Sequence, residues 1–563
     1  MMKKSTKVIA MMMIGIFLCM LDTTVMNIAL PAIQTGLNTD LTHLSWALNI
    51  YTVLFASLAI PLGRLADVWG RGRMYLIGLG LFGIGSLTSG LSLSVGLLIT
   101  GRAIQSIGAA IVFPASMTIG IQSVALSRRT GVIASLGVMQ GLAAALGPTI
   151  GGAVTQFWGW RGIFLINVPL VAVALCGCIA WLSWRHPSHG QVKLDLGGSA
   201  LVMTTLLALT LVLVKGNDWG WTSRVVLSLG VTSALTLIAF VWMEAHVSAP
   251  MVPLALFKDR QFNGAALATV LSGVFMVGLL VLMPSFFTKV QSKTELMAAI
   301  MITPASMMIF IFSPISGFLL AKLGARRVIF SGSLAIATGY GVLSLMSPSQ
   351  YWQFALAALL VGAGYGTIIG PITVLAAGEL LTASQSVIGV FRQIGTSLAV
   401  AIFVSALAAN LTTAKTQIRT YATTTVTTLS IPKQAKRDTL RVVDHQLATE
   451  QTAQTVHEPI TAAKARRLVA ANYMQVLKAR SLQSAPVRIK AQIHQLVAQK
   501  VHSQVKHTNQ RIRTAASAIK AKTKIELTAA FMRPYQVAWP FTLLLVMTTW
   551  CFAGRERKSG KPS

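Results

Sequence analysis

The chain has 563 residues, of which 54% are hydrophobic and only 11% charged, whereas an average soluble domain carries about 25% charged residues. Windows of about 20 apolar residues recur along it, which excludes a soluble globular protein and indicates a polytopic membrane protein. Because the bilayer core offers no water to the backbone, these segments must be helices. The sequence contains no phosphate-binding loop motif, which argues against an ATP-driven pump. No residue pattern indicates an enzyme, a metal site or a cofactor.

We predict fourteen membrane spans, an even number that places both termini on the same side. With the N-terminus in the cytoplasm, the short inner segments hold 19 Lys and Arg and the short outer loops hold five. This asymmetry follows the positive-inside rule, so both termini are predicted to be cytoplasmic. The predicted spans are 8–30, 46–66, 74–92, 97–121, 131–153, 162–183, 198–214, 225–243, 264–287, 297–320, 327–346, 353–376, 387–409 and 536–554.

The first predicted span carries an acidic residue, Asp22, within the run LDTTVMNIALP (residues 21–31), which also contains Asn27. A carboxylate inside the bilayer costs several kcal/mol unless it faces a wet cavity, pairs with a cation or takes up a proton. One interpretation is a snorkelling or hydrogen-bonded aspartate. We favour a carboxylate that couples protons or cations to transport, with Asn27 lining or tuning the same cavity.

The predicted loop between spans two and three has the sequence GRLADVWGRGR, residues 63–73. Its glycines, Gly63 and Gly70, allow a tight turn, and Asp67 can accept hydrogen bonds from Arg71 and Arg73. A generic basic inner loop would not need this spacing. The pattern G-x-L-A-D-x-x-G-R-x-R resembles the cytoplasmic signature of the major facilitator superfamily, which implies a gate on the cytoplasmic side.

The fourth predicted span carries Arg102 and Gln105, which share one helix face because they are three residues apart. An arginine that snorkels to the outer surface is one interpretation. The run RAIQSIGAA (residues 102–110) resembles the fourth-helix motif of the same family. That resemblance implies that Arg102 faces the cavity and is linked to the coupling carboxylate, with Gln105 beside it.

The fifth predicted span contains the small residues Gly141, Gly147, Gly151 and Gly152 together with Pro148. The glycines would let two helices meet closely, and the proline would kink the helix. Ordinary packing of small residues is one interpretation. The pattern also resembles the antiporter motif of drug exporters.

The thirteenth predicted span carries Arg392 near its inner end, where it could pair with Glu379 at the inner surface. The alternative is an interfacial arginine among small residues that pack the helix. We retain both interpretations of this second-half charge pair.

Taken together, these motifs resemble the fourteen-spanner drug:proton antiporter family (EmrB/QacA-like) over about residues 1–410 and 536–554. The resemblance implies an all-α polytopic protein of the major facilitator fold, with 14 transmembrane helices, in the bacterial cytoplasmic membrane. Its predicted parts are an N-terminal six-helix bundle (1–185), an inserted helix pair (186–262), a C-terminal six-helix bundle (263–410 and 536–554), a large basic extracytoplasmic helical loop (411–535) and a cytoplasmic tail (555–563).

The segment 411–535 holds 21 Lys and Arg against five Asp and Glu, so half of the net charge of +32 lies there. Its apolar spacing predicts amphipathic helices outside the membrane. They could attach to an anionic envelope polymer or lipid, or they could be a solvated insertion. Their predicted location outside the cytoplasm argues against binding to nucleic acid.

The resemblance implies a proton-coupled multidrug-type efflux antiporter that exports lipophilic or cationic small molecules by alternating access. Its partners would be the substrate, protons and the lipid bilayer, and the protein would act as a monomer without a cofactor. One alternative is an exporter or flippase of an endogenous amphiphile such as a fatty acid, a lipid or a cell-envelope precursor. Another is a sensor or scaffold that does not transport.

Overall fold

The computed structural model describes residues 4–39, 41–125, 128–182, 195–247, 250–347, 350–375, 381–431, 433–449 and 460–552, and every regular element in these ranges is helical. The predicted all-α class is therefore confirmed. The α-helices are α1 (Lys4–Gly36), α2 (Leu41–Trp69), α3 (Arg71–Gly90), α4 (Val95–Gln122), α5 (Arg129–Trp158), α6 (Gly162–Leu165), α7 (Asn167–Trp181), α8 (Leu196–Trp219), α9 (Arg224–His246), α10 (Arg260–Lys289), α11 (Glu295–Leu323), α12 (Ala325–Leu345), α13 (Tyr351–Leu375), α14 (Leu381–Thr428), α15 (Lys433–Thr449), α16 (Ala462–Ala479), α17 (Val487–Ala538) and α18 (Thr542–Met547).

Twelve helices of the described part are long and apolar enough to cross a membrane, so the predicted count of fourteen is not confirmed. Helix α3 occupies the predicted span 74–92, but Arg73 and several glycines and serines make it less apolar than the twelve. The predicted last span, 536–554, is not one helix. Pro540 lies in the turn between α17 and α18, and proline interrupts helices because it cannot donate a backbone hydrogen bond.

The chain divides into two compact units. The first comprises Met1–Pro284, Thr294–Ala406 and Pro534–Ser563, and the second comprises Ser285–Lys293 and Leu407–Arg533. In the second unit, α14, α15 and α17 share a small apolar core formed by Ala422, Val426, Val443 and Ile519. The described residues of this unit include the ion pairs Arg419–Asp444 (3.1 Å), Lys464–Asp438 (3.2 Å) and Lys522–Glu526 (2.6 Å).

Helices α3 and α4 of the first unit pack with their backbones in contact, because glycines lie where the two helices cross. A Cβ atom on Gly85 would overlap the backbone nitrogen of Gln105, and one on Gly108 would meet the backbone of Phe82. Small residues at such crossings replace the hydrophobic driving force that membrane helices lack. The absence of a side chain at Gly85 therefore fixes how close Gln105 lies to α3.

Helix α5 packs between α1 and α11, and the glycines of the predicted antiporter motif lie at these contacts. A Cβ on Gly147 would overlap the hydroxyl of Thr24 in α1, and one on Gly141 would lie 3.2 Å from Ile309 in α11. Pro148 lies inside the same helix. The close approach of α5 to both neighbours follows from glycines that leave room for them.

Helices α8 and α9 form a pair that docks on α2. The Thr205 hydroxyl of α8 donates a hydrogen bond to the Thr236 hydroxyl of α9 over 2.8 Å. Further along α8, the fully buried Lys215 donates to the Ser45 hydroxyl of α2 over 2.7 Å and to Asp218 over 2.8 Å. A buried ammonium with two such partners is satisfied, so Lys215 fixes α8 against α2.

Substitution of Gly85 by alanine tests the α3–α4 crossing. The added methyl group overlaps the backbone of α4, so the helices must separate, and overpacking of this kind costs about 1–3 kcal/mol. We expect a lower Tm for purified Gly85→Ala protein in a thermal unfolding assay. The matched control is Gly80→Ala on the same helix, where a Cβ meets nothing within 4 Å. Equal Tm values for the two variants would contradict the packing argument.

Candidate functional site

Asp22 lies on α1 in the interior of the first unit and is 4% exposed. Its Oδ2 atom accepts a hydrogen bond from Nη1 of Arg102, and its Oδ1 atom accepts one from Nε2 of Gln105 over 2.8 Å. Both donors belong to α4. The structure thus brings together the three residues that the sequence motifs of α1 and α4 had placed near one another.

The polar groups around this carboxylate satisfy one another. Arg102 Nη1 also donates to Oε1 of Gln105 over 2.7 Å, and its Nε donates to the backbone oxygen of Ala47 in α2 over 3.2 Å. Gln105 Nε2 donates a second hydrogen bond to the Ser86 hydroxyl of α3 over 2.8 Å. Because Arg102 is only 1% exposed, it does not snorkel to the outer surface. Helices α1 to α4 therefore meet at one closed polar network.

Aromatic rings cover the ion pair. The Arg102 guanidinium lies 4.4 Å from the ring centroid of Tyr51 and 5.9 Å from that of Phe164, which adds cation–π attraction. The Ser106 hydroxyl donates to the backbone oxygen of Tyr51 over 2.6 Å and so ties α4 to α2. Sequence reasoning did not select Tyr51, Ser86 or Ala47, because nothing in α2 or α3 marks them apart from other residues of apolar helices.

The network makes Asp22 a carboxylate whose charge is fully compensated in a water-poor site. Breaking such a buried pair by removing one partner costs about 3–5 kcal/mol, since the other charge is left alone. Protonation of Asp22 would have the same effect on Arg102 unless the guanidinium found another acceptor. The site can therefore convert a change in protonation into a change in how α1 and α4 hold each other.

The predicted cytoplasmic gate motif forms the junction between α2 and α3. The Asp67 carboxylate accepts a hydrogen bond from Nε of Arg71 over 2.7 Å, and Arg71 Nη1 donates to Oε1 of Gln122 at the end of α4 over 2.5 Å. Gly70 connects the helices with a φ of 96°, a left-handed conformation that suits glycine. Arg73 is exposed, whereas Gly63 lines a small pocket together with Asp67 and Arg71.

The remaining predicted site residues lie at other places. Gly151 of α5 faces Val25 of α1, and Gly152 faces Leu296 of α11. The side chain of Asn27 and the whole of Glu379 lie outside the described part of the chain, so the role of Asn27 and the pairing of Glu379 with Arg392 stay predictions. Arg392 itself donates from Nη1 to Oε1 of Gln140 in α5 over 2.5 Å.

Comparison with known proteins places this architecture among curated transport and resistance proteins. The chain is 32% identical over 405 residues to the multidrug resistance protein Stp of Mycobacterium tuberculosis (strain CDC 1551 / Oshkosh), a match that covers 70% of this chain and 74% of that protein. It is 30% identical to the methylenomycin A resistance protein of Streptomyces coelicolor, covering 69% and 82%, and 30% identical to the puromycin resistance protein pur8 of Streptomyces alboniger, covering 68% and 78%.

A similar fold occurs in a solved structure, the human organic anion transporter MFSD10 (TETRAN), with a TM-score of 0.52 over 72% of this chain and 94% of that one. At 15% identity, this similarity concerns the fold alone. Residues 12–404 match the family model described as Major Facilitator Superfamily. The chain therefore belongs to the Major Facilitator Superfamily, whose members are multi-pass membrane transporters rather than enzymes.

Proposed function

We propose that this protein is a proton-coupled multidrug-type efflux antiporter of the bacterial cytoplasmic membrane, working by alternating access on lipophilic or cationic small molecules. The observation that carries the proposal is the buried network of Asp22, Arg102 and Gln105. The relatives named for multidrug resistance and puromycin resistance support the efflux of drugs. In this proposal two six-helix bundles and an inserted helix pair make fourteen spans, the last of them interrupted by the turn at Pro540. The termini lie in the cytoplasm and the 411–535 segment lies outside.

Asp22 is the proposed proton carrier. When it is ionised, Arg102 and Gln105 hold α1 against α4 through its two carboxylate oxygens. A proton on Asp22 removes the charge that Arg102 compensates, while Arg102 keeps the Gln105 oxygen and the Ala47 carbonyl as acceptors. Proton uptake therefore loosens the α1–α4 contact without leaving the guanidinium wholly unsatisfied, and proton release restores the contact.

The junction of α2 and α3 is the proposed cytoplasmic gate. Asp67 holds Arg71, and Arg71 reaches Gln122 at the end of α4, so the gate and the proton site share helix α4. Part-exposed pairs of this kind contribute little stability, which suits a contact that forms and breaks in each transport cycle.

Replacing Asp22 by asparagine tests proton coupling. We expect proton-driven efflux of ethidium from cells, or its uptake by inverted vesicles, to fall to background, because asparagine cannot carry the proton. Arg102 also loses its counter-charge, so Tm should fall. The double variant Asp22→Asn/Arg102→Gln removes both charges and should recover Tm without recovering proton-driven transport.

The matched control is Asp259→Asn, which removes an exposed carboxylate at the start of α10 and should leave transport unchanged. Wild-type transport by Asp22→Asn, at a wild-type level of protein in the membrane, would disprove the proton-carrier role.

The antiporter motif gives a second prediction about transport. A methyl group on Gly147 overlaps Thr24, two residues after Asp22, so Gly147→Ala should displace α1 from α5. An overlap that costs about 1–3 kcal/mol should slow ethidium transport about fivefold to 150-fold, if the whole cost is added to the barrier of the transport step. Gly131→Ala lies on the same helix, where a Cβ meets nothing within 4 Å, and should transport normally. Comparable rates for both variants would show that the close contact is dispensable.

Export of an endogenous anionic amphiphile is the second candidate function, favoured by the exposed cations of α16 and α17. Four of these exposed cations are Arg466, Arg467, Lys500 and Lys506. Basic surfaces attract anionic lipids or polymers by electrostatics. The protein would then present its cargo to the envelope rather than only expel drugs.

Glutamine at these four positions separates the two candidates. If the protein exports an envelope amphiphile, the quadruple variant should change the envelope lipid composition, measured by mass spectrometry of extracted lipids, while ethidium efflux stays normal. A charge-preserving quadruple exchange of Arg for Lys and Lys for Arg is the control. An unchanged lipid profile with normal efflux would eliminate this candidate.

A further inference from the structure

Arg392 is a guanidinium inside a membrane-spanning segment, on the part of α14 that belongs to the first unit. Its Nη1 donates to Oε1 of Gln140 in α5. Its guanidinium carbon lies 5.4 Å from the ring centroid of Phe113 in α4. Helices α4, α5 and α14, which come from both sequence halves, therefore meet at this one cation.

The hydrogen-bonding capacity of Arg392 is not used up. Within the described part of the chain, its Nε is buried and has no hydrogen-bond partner, and Nη1 donates to the neutral amide oxygen of Gln140. The amide nitrogen of Gln140 points to the sulfur of Met117 over 3.7 Å, and sulfur is a weak acceptor. A buried donor without a partner is costly and calls for an occupant that accepts a hydrogen bond.

Arg392 and Arg102 differ in how their charges are neutralised. Arg102 is 1% exposed and faces Asp22, so its charge is neutralised within the protein. Arg392 keeps part of its surface accessible, and among the described residues no carboxylate pairs with it. A cation within a membrane span is expensive without a counter-charge, so an anion that arrives from outside the protein would complete the site.

We propose that Arg392 binds the anionic group of an amphiphilic cargo, a carboxylate or a phosphate, while Phe113 and Met117 contact its apolar body. The proposal rests on the efflux function proposed above and adds to it a cargo class that carries a negative charge. Arginine suits this role, because its planar fork donates two parallel hydrogen bonds to carboxylate or phosphate oxygens. Gln140 holds one arm of the fork and leaves Nε for the ligand.

The test uses two probes that differ only in one charge: dansylglycine, a carboxylate, and dansylglycinamide, its neutral counterpart. Binding is measured by dansyl fluorescence on full-length protein in lipid nanodiscs, with empty nanodiscs subtracted. The wild-type protein should bind the carboxylate about tenfold to a hundredfold more tightly than the amide, as expected for a charged hydrogen bond. Dodecyl phosphate should compete with dansylglycine, whereas dodecanol at the same concentration should not.

Arg392→Gln should abolish the preference by weakening carboxylate binding alone, and Arg392→Lys should retain part of it, since lysine keeps the charge but not the fork. Arg224→Gln removes an exposed arginine at the start of α9 and should preserve the preference. Equal binding of both probes by the wild type, absence of dansylglycine binding up to millimolar concentration, or parallel loss of both probes in Arg392→Gln would each overturn the proposal.

The pairing of Arg392 with Glu379 is the competing explanation. If Glu379 neutralises Arg392, Arg392→Gln should lower Tm and the double variant Arg392→Gln/Glu379→Gln should restore it, with no discrimination between the probes in any protein. That result would replace the ligand site by an internal ion pair. Because these measurements need no proton gradient, they can fail while the Asp22-dependent efflux persists, so the two proposals are tested separately.

Discussion

The neutralisation of Asp22 by Arg102 is the interaction on which the rest of the first unit depends. Neither charge is tolerable alone inside a bilayer, and their pairing requires α1 and α4 to meet at one level. Gln105 donates hydrogen bonds to the second carboxylate oxygen of Asp22 and to the Ser86 hydroxyl of α3. Arg102 donates a hydrogen bond to the backbone oxygen of Ala47 in α2. The glycine contact between α3 and α4 at Gln105 then serves the same end, because a wider crossing would draw that amide away from the carboxylate.

The residues of this site were predicted from local signals in the sequence, whereas the link between Arg102 and Asp22 was implied by the family resemblance. The depth of Asp22 in an apolar run and the three-residue spacing of Arg102 and Gln105 both report on single helices, and single-helix geometry is regular. The rings and carbonyls that enclose the pair depend on how different helices cross, which no periodicity encodes. Tyr51 is the clearest case. In the sequence it is one aromatic residue among many, and only the packing of α4 against α2 brings Arg102 to its ring.

The number of membrane spans was harder to predict from the sequence than the residues of the site. A hydropathy pattern registers length and apolarity, so it found α3 by its apolar centre although glycines, serines and Arg73 dilute the signal. The same pattern predicts one span over residues 536–554, whereas the structure shows a turn at Pro540 between α17 and α18. Hydropathy does not register such a turn when apolar residues lie on both sides of it. The polar α17, which runs from Val487 to Ala538, overlaps the beginning of that stretch.

Helix α5 explains how two separate binding events could be exchanged. If the proton meets Asp22 and an anionic cargo meets Arg392, the two ligands share no atom, so they cannot exchange by simple competition and must be coupled through conformation. Gln140 and Gly147 lie seven residues apart on α5, about two turns, and therefore on one face. Gln140 contacts Arg392, and Gly147 abuts Thr24 beside Asp22. A rigid shift of α5 thus changes both sites at once, which is the physical continuity that antiport between distinct sites requires.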